Sequence, residues 1–150
     1  MKVQIFDTSG QERYRAVTAS YYKKTDAIIL VYDITEKETF HNVSAWLQDI
    51  YGKADKAVCK LIVGNKCDLL EERVVSKEEA IYFADNLGLA FVETSAKSSE
   101  NVETFFVGMI RELVRQADER GYEIPQQEED TIKLMSSRVR DCFRERCSRC

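Results

Sequence analysis

The chain has 150 residues, 44% hydrophobic and 32% charged, which suits a single soluble domain with a sizeable core. No apolar run approaches the ~20 residues of a membrane span, and the opening Met1-Lys2-Val3-Gln4 has no signal-peptide pattern, so a cytosolic protein is expected. Five cysteines, an odd number without a secretory signal, favour free thiols over a disulfide framework.

Charge divides the chain: residues 131–150 carry six bases and two acids, a net +4 against −8 for residues 1–130. An acidic body with a basic tail predicts an anionic surface as the tail's partner, and a membrane fits better than nucleic acid because four net charges make a small footprint.

In chain order, residues 2–6 alternate toward a strand and run into Asp7-Thr8-Ser9-Gly10-Gln11. A carboxylate after a strand can hold Mg2+ through water, and a glycine admits a backbone N–H close to a phosphate. Gln11 could then orient a water toward that phosphate, although Asp-x-x-Gly is also a common plain turn. Residues 13–22 follow with Tyr14, Val17 and Tyr21 at near-helical spacing, which suits a partner surface or packing on a sheet equally well. Residues 26–33 read as a continuous apolar strand buried on both faces. Residues 40–51 read as a helix with Phe40, Val43, Trp46, Leu47 and Ile50 on one side, Trp46 in the core and His41 in solvent.

The central signal is Leu61-Ile-Val-Gly-Asn-Lys-Cys-Asp-Leu69. Residues 58–63 predict a buried parallel strand that Gly64 ends, which places Asn65, Lys66 and Asp68 at a carboxyl edge, where open α/β sheets bind ligands. A carboxylate at Asp68 only accepts, so it pairs with two adjacent donors, and guanine offers its ring N–H and amino group there. Adenine presents an acceptor instead. Asn65 can donate and accept at another ring edge, while the Lys66 stem can lie over the ring face. A polar loop with no ligand is the plain alternative for this stretch taken alone.

Ser76 with Glu79 predicts a capping box opening a helix through Ala80, Phe83, Ala84 and Leu87, stopped by Gly88. Residues 90–92 form a short strand leading into Glu93-Thr94-Ser95-Ala96-Lys97, where the Ala96 backbone N–H could reach the keto oxygen that adenine lacks. Residues 101–114 predict the last strong helix, with Val102, Phe105, Phe106, Met109, Ile110 and Leu113 facing inward. This alternation predicts an α/β fold, a mostly parallel sheet with helices on both faces.

Three such loops in one order resemble the Ras superfamily of small GTPases, and within it the Rab family, over residues 1–116. The Rab-like stretches are Lys2-Val3-Gln4-Ile5-Phe6, Arg13-Tyr14-Arg15-Ala16-Val17-Thr18, Tyr21-Tyr22-Lys23-Lys24 and Leu30-Val31-Tyr32-Asp33-Ile34-Thr35. Phe6 stands where tryptophan is usual, and Ser9 where alanine is usual. The resemblance implies the P-loop NTPase fold, GTP and GDP with Mg2+ as ligands, GTP hydrolysis, and a switch in vesicle-mediated transport. It implies that Asp7 holds Mg2+ through water, that Gly10 senses the γ-phosphate and that Gln11 positions the hydrolytic water. Asn65, Lys66, Asp68, Ser95, Ala96 and Lys97 would hold guanine. Effectors, exchange factors and GTPase-activating proteins would meet the stretch from Gln11 to Tyr22, on a monomer.

The sequence nowhere reads Gly-x-x-x-x-Gly-Lys-Ser/Thr, so the phosphate cradle and the segment around Mg2+ that precede Lys2 in the family have no counterpart here. A truncated domain is therefore expected, with Met1 an internal methionine of a longer protein or the start of a short isoform. A non-hydrolysing interaction protein that binds Rab partners is the alternative.

Residues 117–130 read as an acidic linker, and residues 117–150 as a tail distinct from a partial GTPase domain over 1–116. Ile132, Met135, Val139, Cys142, Phe143 and Arg146 recur at three- and four-residue steps, as in a short basic amphipathic helix. The ending Cys147-Ser148-Arg149-Cys150 is no CaaX box, since Ser148 and Arg149 are not aliphatic. The resemblance implies geranylgeranyl groups on Cys147 and Cys150 and reversible attachment to the cytosolic face of endomembranes, two chains sufficing where one is marginal. A metal reading of Cys142, Cys147 and Cys150 lacks a fourth ligand.

Overall fold

The computed structural model describes residues 3–8, 21–23, 25–119 and 121. The chain divides into two units, and the sheet with both base-type loops falls in the one spanning Thr8–Phe105. Three strands, β1 (Ala27–Asp33), β2 (Cys59–Asn65) and β3 (Ala90–Glu93), lie in that order and all run parallel. Between them come helix α1 (Lys37–Lys53), a single 3-10 turn at Leu70–Glu72 and helix α2 (Lys77–Leu87). Helix α3 (Val102–Glu119) starts in this unit and runs on past Phe105, three residues into the stretch read as linker.

Periodicity explains the helices. Phe40, Val43, Leu47 and Ile50 form the buried stripe of α1, with Trp46 partly buried against the same core and His41 exposed. The Ser76 hydroxyl accepts the Glu79 N–H at 3.1 Å, and Gly88 closes α2 in the left-handed conformation at φ 64°. Both helices pack on one face of the sheet, where Leu30, Tyr32, Ile62 and Phe91 join Phe40, Val43, Ala80 and Ala84 in one cluster. Tyr32 meets Phe40 edge-on at 4.9 Å between centroids, and Phe40 meets Phe83 at 5.3 Å.

Three expectations change. Residues 3–8 form no strand, and Val3, Ile5 and Phe6 are exposed. Alternation supplies the two faces of a strand, but a strand also needs a ladder, and neither ladder among the described strands includes this stretch. β1 is not buried on both faces, since Val31 is 59% exposed. Its same-face neighbours on central β2, Leu61 and Val63, are buried, so cover on that face reaches the central strand and not the first.

Gly64 does not end β2, which continues through Asn65. Its register partner is Tyr32, and a Cβ at Gly64 would lie 2.8 Å from the Tyr32 hydroxyl oxygen and 3.0 Å from Cζ. Gly64 is thus a close-approach glycine. The Tyr32 hydroxyl is buried and accepts or donates no hydrogen bond among the described residues. Burial pushes its pKa far up, so the hydroxyl stays neutral.

Gly64→Ala should therefore destabilise the chain by about 1–3 kcal/mol through overpacking. Tyr32→Phe, which removes an orphaned hydroxyl, should be neutral or stabilising and should soften the Gly64→Ala penalty. Urea melts of the two single variants and the double variant check this, and strict additivity would count against the clash.

Candidate guanine site

The site is built at the carboxyl edge of the sheet, because parallel strands bring their last residues to one rim. The register opposes Asp33 to Asn65 and Gly64 to Glu93, so the turns after β1, β2 and β3 leave from neighbouring points. The β2 and β3 loops are tied through the backbone: Thr94 N–H donates to Gly64 O at 2.8 Å and Cys67 N–H to Thr94 O at 3.1 Å.

Ser95 has the pivotal side chain. It is fully buried, and its hydroxyl donates to Asp68 Oδ1 at 2.6 Å while accepting the Ser98 N–H at 3.0 Å. A serine hydroxyl has one proton, so the bond to Asp68 uses it and fixes that carboxylate as acceptor. The Ser95 bond is also the main cause holding the Asp68 carboxyl below its usual range, with Lys97 and Lys66 adding to it. Asp68 is therefore ionised at neutral pH, its own backbone N–H also acting on the carboxylate. That is the electronic form that two adjacent N–H donors require.

Asn65 Oδ1 accepts the Ala96 N–H at 3.1 Å. The amide expected to face a keto oxygen thus joins the two loops, and a base oxygen would share or take over that donor. With Oδ1 engaged, the Asn65 side chain could meet a ring-edge acceptor only through its NH2 group. Cys67 is buried, and burial, followed by Glu100 and Glu93, pushes its thiol up to about 11, so it acts as a packing residue. Lys97 is exposed in the turn after Ala96.

Lys66 holds φ 67°, a left-handed backbone that non-glycine residues adopt rarely. Its ammonium reaches back to Asp33 Oδ2 at 2.5 Å, and Asp33 Oδ1 accepts the Thr35 N–H at 2.8 Å and the Thr35 hydroxyl at 2.7 Å. Burial opposes ionisation of Asp33, but the Lys66 and Thr35 bonds outweigh it and hold the carboxyl below its usual range. The same ion pair raises the Lys66 ammonium.

Bracing behind the loops comes from residues that motif reading missed. Arg73 makes two parallel bonds to Glu93, 2.6 and 2.9 Å, and a third to Val75 O at 3.1 Å. Asn101 Nδ2 donates to Glu93 O at 2.9 Å and Ser95 N–H to Glu100 O at 3.1 Å. Asp33 was missed as a site residue too. The signal available was its place as the last acid of an apolar strand, but its pairing with Asn65 depends on ladder register.

The structure therefore gathers Asn65, Lys66, Asp68, Ser95, Ala96 and Lys97 on two tied loops. Asp7 lies in the other unit, in an exposed irregular stretch. Gly10, Gln11, residues 13–20, Cys142, Cys147 and Cys150 lie outside the described residues, as does the rest of the basic tail. Among the described residues no His, Cys, Asp and Glu group has the arrangement of a metal centre, and no helix is long and apolar enough to cross a membrane.

Residues 1–115 match the Ras family. The chain belongs to that family. Its relatives place it on the Rab branch: it is 53% identical over 109 residues to "Ras-related protein RABD2c" of Arabidopsis thaliana, covering 73% of this chain and 54% of that protein. It is 52% identical over 113 residues to "Ras-related protein RIC1" of Oryza sativa subsp. japonica, covering 75% and 56%. For "Ras-related protein RABD1" of Arabidopsis thaliana the figures are 51% over 113 residues, 75% and 55%. This Rab-family chain thus spans about half the length of the curated relatives it matches. The three-stranded parallel sheet agrees with the α/β fold of the Ras family.

Proposed function

We propose that this chain binds guanine nucleotides through the Asn65–Asp68 and Ser95–Lys97 loops and serves as a Rab-type GTPase switch in vesicle-mediated transport. The observation that carries the reading is the Ser95–Asp68 bond, which leaves an ionised carboxylate oriented to accept from the guanine ring N–H and amino group. Asn65 takes a ring-edge acceptor, Ala96 N–H the keto oxygen, and the Lys66 stem covers a face, with Lys97 at the rim. Bound GTP supplies the phosphate that is cleaved.

On the phosphate side, the family resemblance supports Asp7 as the holder of Mg2+ through water, Gly10 as the residue that reads the γ-phosphate, and Gln11 as the residue that orients the hydrolytic water. The stretch from Gln11 to Tyr22 is then the surface for effectors, exchange factors and GTPase-activating proteins. Prenylation of Cys147 and Cys150, on a tail beyond a GTPase domain ending near residue 116, attaches the protein to endomembranes.

The test is titration of a fluorescent GDP analogue into the full 150-residue chain, followed by displacement with GDP or ADP. Saturable binding at micromolar concentration or tighter, displaced by GDP and not by ADP, is the expected result. No saturable binding, or equal displacement by ADP, removes the guanine reading and leaves the non-hydrolysing interaction protein.

A further inference from the structure

The Asp33–Lys66 pair joins the end of one strand to the loop of the next. Asp33 is well prepared for it: its side chain is only 15% exposed, against 51% for Lys66. One carboxylate oxygen is taken by the Thr35 N–H and hydroxyl, and its backbone N–H donates to the Thr39 hydroxyl at 3.0 Å, so the remaining oxygen is fixed in direction. The adjoining backbone is pinned as well, Ile34 N–H donating to Asn65 O at 3.1 Å. Lys66 is the more exposed partner, a four-carbon stem on a left-handed backbone.

We propose that Asp33 is a positioning residue for the base site: it anchors the Lys66 ammonium and so sets the Lys66 stem as the wall on which a guanine ring lies. The inference rests on the guanine reading of the two loops and adds a residue outside both. It also changes what Lys66 supplies. With its charge met by Asp33, the side chain offers an alkyl surface rather than a free cation for phosphate. Glu36, Glu72 and Asp68 are the other carboxylates close enough to act on the Lys66 charge. Without Asp33 the ammonium turns toward them or toward solvent, and the stem leaves its place.

The test uses the full chain and the fluorescent GDP analogue, with dissociation rates measured by chase with unlabelled GDP. Asp33→Ala should speed dissociation roughly tenfold while leaving the preference for GDP over ADP intact, because Asp68 and Ser95 are untouched. Asp33→Asn keeps an acceptor for Thr35 and loses the charge, so it should behave like Asp33→Ala while melting close to the parent temperature. In a Lys66→Ala background, Asp33→Ala should have no further effect on dissociation.

Unchanged dissociation in Asp33→Asn overturns the proposal, and so does an equal Asp33→Ala effect with and without Lys66, which is what a purely structural aspartate would give. A parent chain that binds no GDP overturns the guanine reading itself, and this inference with it, before any variant is compared.

Discussion

Asp68→Asn should abolish the preference of the chain for guanine. The carboxylate is held ionised by the Ser95 hydroxyl and presents only acceptors. A carboxamide at the same place turns one acceptor into a donor, which then faces the guanine amino group, donor against donor. A site built to satisfy a base edge discriminates strongly once that edge no longer matches, so GDP affinity should fall by roughly 10²-fold or more. The substituted edge instead complements a base with a carbonyl in place of the amino group. Competition among GDP, ADP and xanthosine diphosphate on the Asn variant should shift the ranking toward xanthosine diphosphate. A variant that still ranks GDP first by the parental margin would show that Asp68 does not read the base.

Arg73→Ala should be the most damaging single change to stability. Arg73 and Glu93 form a two-point ion pair with side chains 19% and 10% exposed, and the Glu93 hydrogen bonds hold Arg73 strongly protonated. Removing one partner leaves a poorly hydrated charge on the other, a loss of about 3–5 kcal/mol. For a domain of this size that lowers the melting temperature by roughly 10 °C or more. Replacing both charges, as Arg73→Met with Glu93→Leu, should recover most of the loss, since apolar packing substitutes well for a buried pair. Thermal melts followed by circular dichroism check both. A loss under 1 kcal/mol for Arg73→Ala would mean that solvent reaches the pair freely.

Much of this architecture was legible because each element carries its own local signal. The apolar stripe of α1, the Ser76 cap, the Gly88 stop and the run before Asn65 depend on residues within a few positions of one another. The two base-type loops were legible for the same reason: side-chain chemistry and strand ends are written side by side. Properties set by register were not. Asp33 comes beside the Asn65–Asp68 loop only because β1 and β2 pair it with Asn65, and Gly64 proved to be a contact point with Tyr32 rather than a stop. The Arg73–Glu93 brace spans twenty positions, and nothing near either residue announces the other. The exposure of Val31 similarly depends on what lies over one face of the sheet.

The bonds that shape the base cradle share a further property. Ser95 with Asp68, Ala96 with Asn65, and Lys66 with Asp33 each close over about thirty positions of chain, and all six ends fall between Asp33 and Ala96. On the proposed guanine reading, the groups that would recognise the base are therefore contiguous in the polypeptide, in a stretch that runs from the end of β1 through two helices and two strands.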